Sequence, residues 1–292
     1  MGTTLTGSAE RRRPWSGRSP VGWVTSYRGR VDLTLELPRS VLLALWLADD
    51  STDRSVLLGA VQSDDEPHSV QRRPAADEPL RDDVSDEPLS TLLDACDGSP
   101  RDVATVLPVP GDPGATPASV SSAATDAGEA VLVRTPQACL VAVPVVQRFG
   151  SALEPGHLVT WELSDVPDWR HAVHAQTGSL QDAERELRQG LLQATEALVK
   201  LDVARWRPDA AETVAALRDL ELPAWRLPDG LDGRRVRVLA SAARLRAIVA
   251  LATQDDGAAV NLWQADQRST ALREVDRMAR RAMAAAASRL TA

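Results

Sequence analysis

"SLQDAERELRQGLLQATEALVKL", residues 179–201, decides the architecture of this chain. Apolar side chains fall at Leu180, Ala183, Leu187, Leu191, Ala194, Leu198 and Leu201, at steps of three and four. That is the period of a helix buried along one face. Ser179 stands three residues before Asp182, the spacing of a capping box that closes a first helical turn. Downstream the helical pattern continues, and upstream nothing sustains it. Further helices are predicted over 208–220, stopped by Pro223, over 234–253, apolar around much of its circumference, and over 258–290. Short loops between long amphipathic helices imply antiparallel neighbours, so residues 179–292 are expected to form a four-helix bundle.

Upstream, short apolar runs alternate with turn residues. Residues 35–49 and 89–96 read as helices, with 55–62 a further apolar run between them. Strands are predicted near 68–71, over 102–109 and over 157–163. Two more, 129–134 and 138–146, are joined as a hairpin by Thr135-Pro136-Gln137. The expected fold class is therefore α+β. It comprises an irregular segment 1–36, a mixed α/β part 37–167 with a small β-sheet, a linker 168–178 and the helical bundle 179–292.

Composition narrows the function classes. A chain of 292 residues that is 43% hydrophobic can bury a substantial core. Its longest apolar run, 41–48, is far short of the roughly 20 residues a membrane span requires. Arg11, Arg12 and Arg13 are followed by Pro14 and Gly17 where a secretory leader would need an unbroken apolar run. Cys96 and Cys139 stand apart with no CxxC pair. Together these features point to a cytoplasmic location and away from the membrane. Residues 63–87 hold nine carboxylates against three arginines and read as a mobile acidic loop around one short strand.

Candidate sites are few. In "VLPVPGDPGATP", residues 106–117, the prolines offer no N–H to an anion, so the stretch is poorly built to hold phosphate. It suits a rigid turn, or a pocket lip in which Asp112 contacts a polar ligand. GxGxxG, GxxxxGK and GxSxG are all missing, and Lys200, the only lysine, falls on the predicted solvent side of its helix. No cofactor is expected. His171 and His174 share a face if 167–176 is helical, where Glu162, Asp165 or Asp168 could complete a metal site. The carboxylates have no recognised ligand spacing, so two exposed linker histidines is the plainer reading and no metal is assigned. Asp255-Asp256-Gly257 reads as a helix cap and turn. Trp169 and Trp225 lie beside prolines, where they can cover a groove or pack the core.

From Asp232 onward eleven arginines accompany six carboxylates. The interleaving suits a solvated helix face, with a nucleic-acid surface, or one covered by the acidic stretch, as alternatives. "LPVPGDP" at 107–113, "AGEAVLV" at 127–133 and "ARLRAIVALATQDDGAAVNLWQADQRSTALREVDRMARRAM" at 243–283 resemble a family of uncharacterised actinobacterial proteins. That resemblance runs from about Leu42 through most of the chain. It implies a cytosolic protein with a mixed first part and a helical second part, and supplies no catalytic residues. Three readings of function follow. The first is a non-enzymatic structural or interaction protein whose helical part docks a protein partner or a second copy. The second is a ligand-binding protein or enzyme of unfamiliar design, with a pocket between the parts lined by Asp112, His157, Glu162 and Trp169. The third is nucleic-acid binding through the arginine-rich helices.

Overall fold

The computed structural model describes residues 25–27, 30–32, 34–49, 53–73, 86–96, 101–151, 154–200, 216–217, 219–254 and 262–291. A short hairpin of β1 (Thr25–Tyr27) and β2 (Arg30–Asp32) lies within the segment expected to be irregular. Runs of three residues are too brief to show an alternating apolar face in the sequence. The main sheet contains β3 (Ser69–Arg72), β4 (Glu87–Pro88), β5 (Asp102–Val106), β6 (Ala130–Arg134), β7 (Cys139–Gly150) and β8 (Pro155–Asp165). Its spatial order is β4-β3-β8-β7-β6-β5, antiparallel throughout except for the parallel pair β3 and β8. The helices are α1 (Arg39–Leu47), α2 (Arg54–Gln62), α3 (Ser90–Cys96), α4 (Ser121–Ala127), α5 (Arg170–Thr177), α6 (Leu180–Lys200), α7 (Gly233–Gln254) and α8 (Leu262–Ala287).

The molecule is thus a mixed α+β protein, and local chemistry explains most of its boundaries. Pro38 holds the chain extended, so α1 begins at Arg39 and not at Leu35. Thr135 accepts hydrogen bonds through its hydroxyl from the amides of Gln137 (3.3 Å) and Ala138 (3.2 Å), which closes the β6–β7 hairpin where the sequence placed it. The Ser179 hydroxyl accepts from the Asp182 amide at 3.1 Å and donates to its carboxylate at 2.6 Å, so the capping box forms. Helix α4 has no counterpart in the sequence reading. Its residues, SSAATDA, are small and polar and carry no apolar stripe, and left-handed Gly128 at φ 75° ends it.

Both faces of the sheet are covered. Val131 and Val133 face a core shared with α1, α7 and α8, while Ala130 and Leu132 face a second cluster with Val120, Ala124, Trp169 and Val173. A strand buried on two sides reads as an unbroken apolar run, which is how 130–133 appears in the sequence. Helix α8 touches α1, α5, α6, α7 and β5. Its fully buried Ala279, Ala282, Ala286 and Ala287 let those neighbours approach closely. The sequence extended this helix to 290, but it stops at Ala287 and Arg289 exchanges backbone hydrogen bonds of 2.9 and 2.8 Å with Val103. The exposed edge of β5 captures the tail, because an unpaired strand edge is a template for extended chain.

Residues 208–220, the expected second bundle helix, lie mostly outside the described residues, as do residues 74–85 of the acidic stretch and Asp255-Asp256-Gly257. Among the described residues no helix is long and apolar enough to cross a membrane.

Met283, fully buried on α8, should cost about 2–5 kcal/mol of unfolding free energy when changed to Ala. Val56→Ala, at a residue 50% exposed, should stay within about 0.5 kcal/mol. Urea unfolding of the two variants checks the contrast.

Candidate functional site

The first turn of α1 gathers the charged groups of this protein. Arg39, its first residue, donates from Nε and Nη2 to the Asp65 carboxylate at 2.7 and 2.9 Å. Asp65 reaches it because Ser63, at φ 50°, turns the chain sharply after α2. Two histidines flank the same carboxylate. His68 places Nε2 3.2 Å from Oδ2, and His157 on β8 places Nδ1 3.2 Å from Oδ1. The Trp161 indole N–H, which can only donate, points at His68 Nδ1 from 3.2 Å. This assigns the His68 proton to Nε2, facing Asp65. Burial works against the Asp65 charge, yet the hydrogen bonds from His68 and Arg39 outweigh it and hold the carboxyl well below its usual range.

A second set of charges lies deeper. Arg280 on α8 is 7% exposed; it donates to Asp276 at 2.7 Å, to the Leu107 carbonyl at 2.7 Å and to Asp112 at 2.9 Å. Asp276 also accepts from Arg246 on α7 at 3.1 Å. Between the two sets sits Glu129, which accepts from the Ser40 amide at 2.7 Å and so caps α1. Burial raises the Glu129 carboxyl above its usual range, opposed by the Ser40 hydrogen bond and by the charges of Arg39 and Arg246. A chain of charged groups therefore runs from His157 past α1 to Asp112. Apart from those two ends, the sequence reading singled out none of its members for this role, because they are far apart in the chain and follow no motif.

The site residues proposed from sequence are dispersed. Asp112 lies in the tight turn Val109–Asp112, closed by backbone hydrogen bonds of 3.0 and 2.9 Å with Gly111 at φ 85°, and its carboxylate holds Arg280. His157 sits at the Asp65 cluster. Glu162 faces Arg73 at 3.3 Å. Trp169 is 2% exposed in the second core cluster, and its buried indole N–H has no hydrogen-bond partner among the described residues. His171 and His174 share exposed positions on α5. His174 lines a cleft of about 160 Å³ beside the α5–α6 turn. Among the described residues no three His, Cys, Asp or Glu side chains converge as metal ligands. Cys96 and Cys139 are free thiols, and burial raises the pKa of each. Trp225 is 59% exposed and stacks near the Arg226 guanidinium at 5.7 Å.

Several of the helical arginines are engaged internally. Arg234 pairs with Glu184, Arg277 with Glu274 and Arg281 with Glu186. Arg244 donates to the Leu220 carbonyl and Arg289 to that of Ala48. Of the acidic stretch, Asp65 turns to Arg39 and Asp86 accepts from Gln71, so neither covers the helical arginines.

Two protein families match the chain: the N-terminal domain of the Rv1486c-like protein over residues 40–177, and its C-terminal domain over residues 181–284. No curated protein and no solved structure matches.

Replacing Asp65 with Asn removes the charge that Arg39 faces and should cost about 3 kcal/mol at pH 7. Because the folded pKa is depressed, this stabilisation is present above the unfolded value near 3.8 and is lost as pH falls through the folded one. Urea midpoints of wild type and Asp65→Asn should therefore begin to approach each other below about pH 4 and differ less the further the pH falls.

Proposed function

For this chain, which belongs to the Rv1486c-like family through both of that family's domains, we propose a non-enzymatic protein-interaction role. The observation that carries it is an exposed apolar face on a projecting ribbon. Pairing of β6 ends at Ala142, and pairing of β3 begins only at Thr160, so the outer part of the β7–β8 hairpin stands clear of the sheet. Val145 (37% exposed), Phe149 (43%) and Leu158 (46%) share one face of that ribbon. The Phe149 ring lies over Gly156, where an added Cβ would come within 2.3 Å of it, so the ring is held flat on the ribbon.

The partner we assign is a second copy of the chain. Two such ribbons stacked about a two-fold axis bury the same three side chains against each other, the self-complementary arrangement a symmetric dimer requires. In the helical part, Leu192, 67% exposed on α6, offers a further apolar contact. The domain division at 168–178, a cytoplasmic location and a four-helix bundle whose second helix spans 208–220 belong to the same proposal. Pairing of Arg234, Arg277, Arg280 and Arg281 with carboxylates of the same chain argues against the nucleic-acid reading, since phosphate contacts need uncommitted cations.

Sedimentation of the wild type at about 100 µM should give a dimer, and Phe149→Asp with Leu158→Asp a folded monomer. A wild-type monomer at that concentration overturns the assignment.

A further inference from the structure

The cleft beside the α5–α6 turn has a chemistry that the ribbon does not involve. It lies between Val173, His174 and Thr177 of α5, Leu180 at the start of α6, and Arg235 and Leu290 from the start of α7 and the C-terminal tail. Arg235 is half-buried there. One of its nitrogens, Nη1, donates to the carbonyls of Ala286 and Ser288 at 2.7 and 2.8 Å, which fixes the guanidinium at the end of α8. Among the described residues no carboxylate forms an ion pair with it, in contrast to Arg234, Arg246, Arg277, Arg280 and Arg281 on the same two helices. Burial lowers the Arg235 pKa; Asp232 acts in the opposite direction, and Arg289 adds to the positive field. A half-buried cation without a paired anion, at the wall of an open cleft, favours an anion arriving from outside.

The size and the rest of the lining narrow the class. A cavity of about 150 Å³ holds a benzene ring, whereas cofactor and drug sites run to about 300–1,000 Å³. At about 160 Å³ the cleft admits a single ring or a short branched chain and excludes a nucleotide. Val173, Leu180 and Leu290 give it an apolar wall, while the exposed His174 imidazole stands at its mouth. We infer that this cleft binds a small monocarboxylate with a compact apolar body, its carboxylate facing Arg235 and His174 and its body lying on Leu180 and Leu290.

Benzoate is the probe and benzyl alcohol its uncharged counterpart, each titrated into the full chain by calorimetry or ligand-observed NMR. Benzoate should bind at one saturable site, at least about tenfold more tightly than benzyl alcohol, as expected for a carboxylate paired with a guanidinium. Arg235→Gln should abolish this preference. Because Arg235 also anchors the end of α8, that variant can fail to fold, so His174→Glu is the second arm. His174 is exposed, and a carboxylate there should weaken benzoate about tenfold while leaving benzyl alcohol unchanged. Equal binding of the two probes, no saturation by about 10 mM, or unchanged benzoate affinity in His174→Glu each overturns the assignment.

Discussion

The guanidinium of Arg280 holds this structure together. It lies on the central helix of the second part, nearly buried, and bonds at once to Asp276 on its own helix, to the Leu107 carbonyl at the end of β5 and to Asp112 in the turn beyond. An isolated charge at that depth would be untenable, so the three acceptors are a condition of the fold and not an addition to it. Arg246 shares Asp276 and ties α7 to the same point. Helix, sheet and loop are thus positioned relative to one another by a few charged hydrogen bonds set inside an apolar interface. That interface draws its side chains from both family domains.

This arrangement changes how the composition should be understood. The arginine excess after residue 232 looks, as a list of charges, like a surface waiting for a polyanion. In three dimensions several of those side chains cap helix ends, cross-link α6 to α7 and α8, and tie the tail to the end of α1. Arginine suits the task because one planar group can satisfy several acceptors at once. The opposite holds for the β7–β8 ribbon. Its sequence reads as an ordinary strand pair, yet the sheet ends beneath it and leaves Phe149 and Leu158 facing solvent.

Much of the fold was legible beforehand. Strands β5 to β8, the Thr135 hairpin, the capping box at Ser179 and the long helices each announced themselves through period or turn chemistry. Far less of the site was legible. Asp112 and His157 stand out in the sequence only as candidate pocket residues; their partners Arg280 and Asp65 come from 168 and 92 positions away along the chain. His68, buried between Trp161 and Asp65, follows no motif at all. Trp169, for which the sequence offered either a groove or the core, packs into the core where α5 lies against the sheet.

The sequence by itself determined the mixed α+β class, the order of most elements and the turn at Gly111, because each rests on periodicity or on a backbone preference that neighbouring residues satisfy. Only the tertiary structure decided which charges meet, where the sheet stops short of its longest hairpin, and that Arg235 faces a cleft with no paired carboxylate among the described residues. Burial and electrostatic pairing are properties of distance in space, and a one-dimensional pattern does not encode which distant residues will share a dry interior.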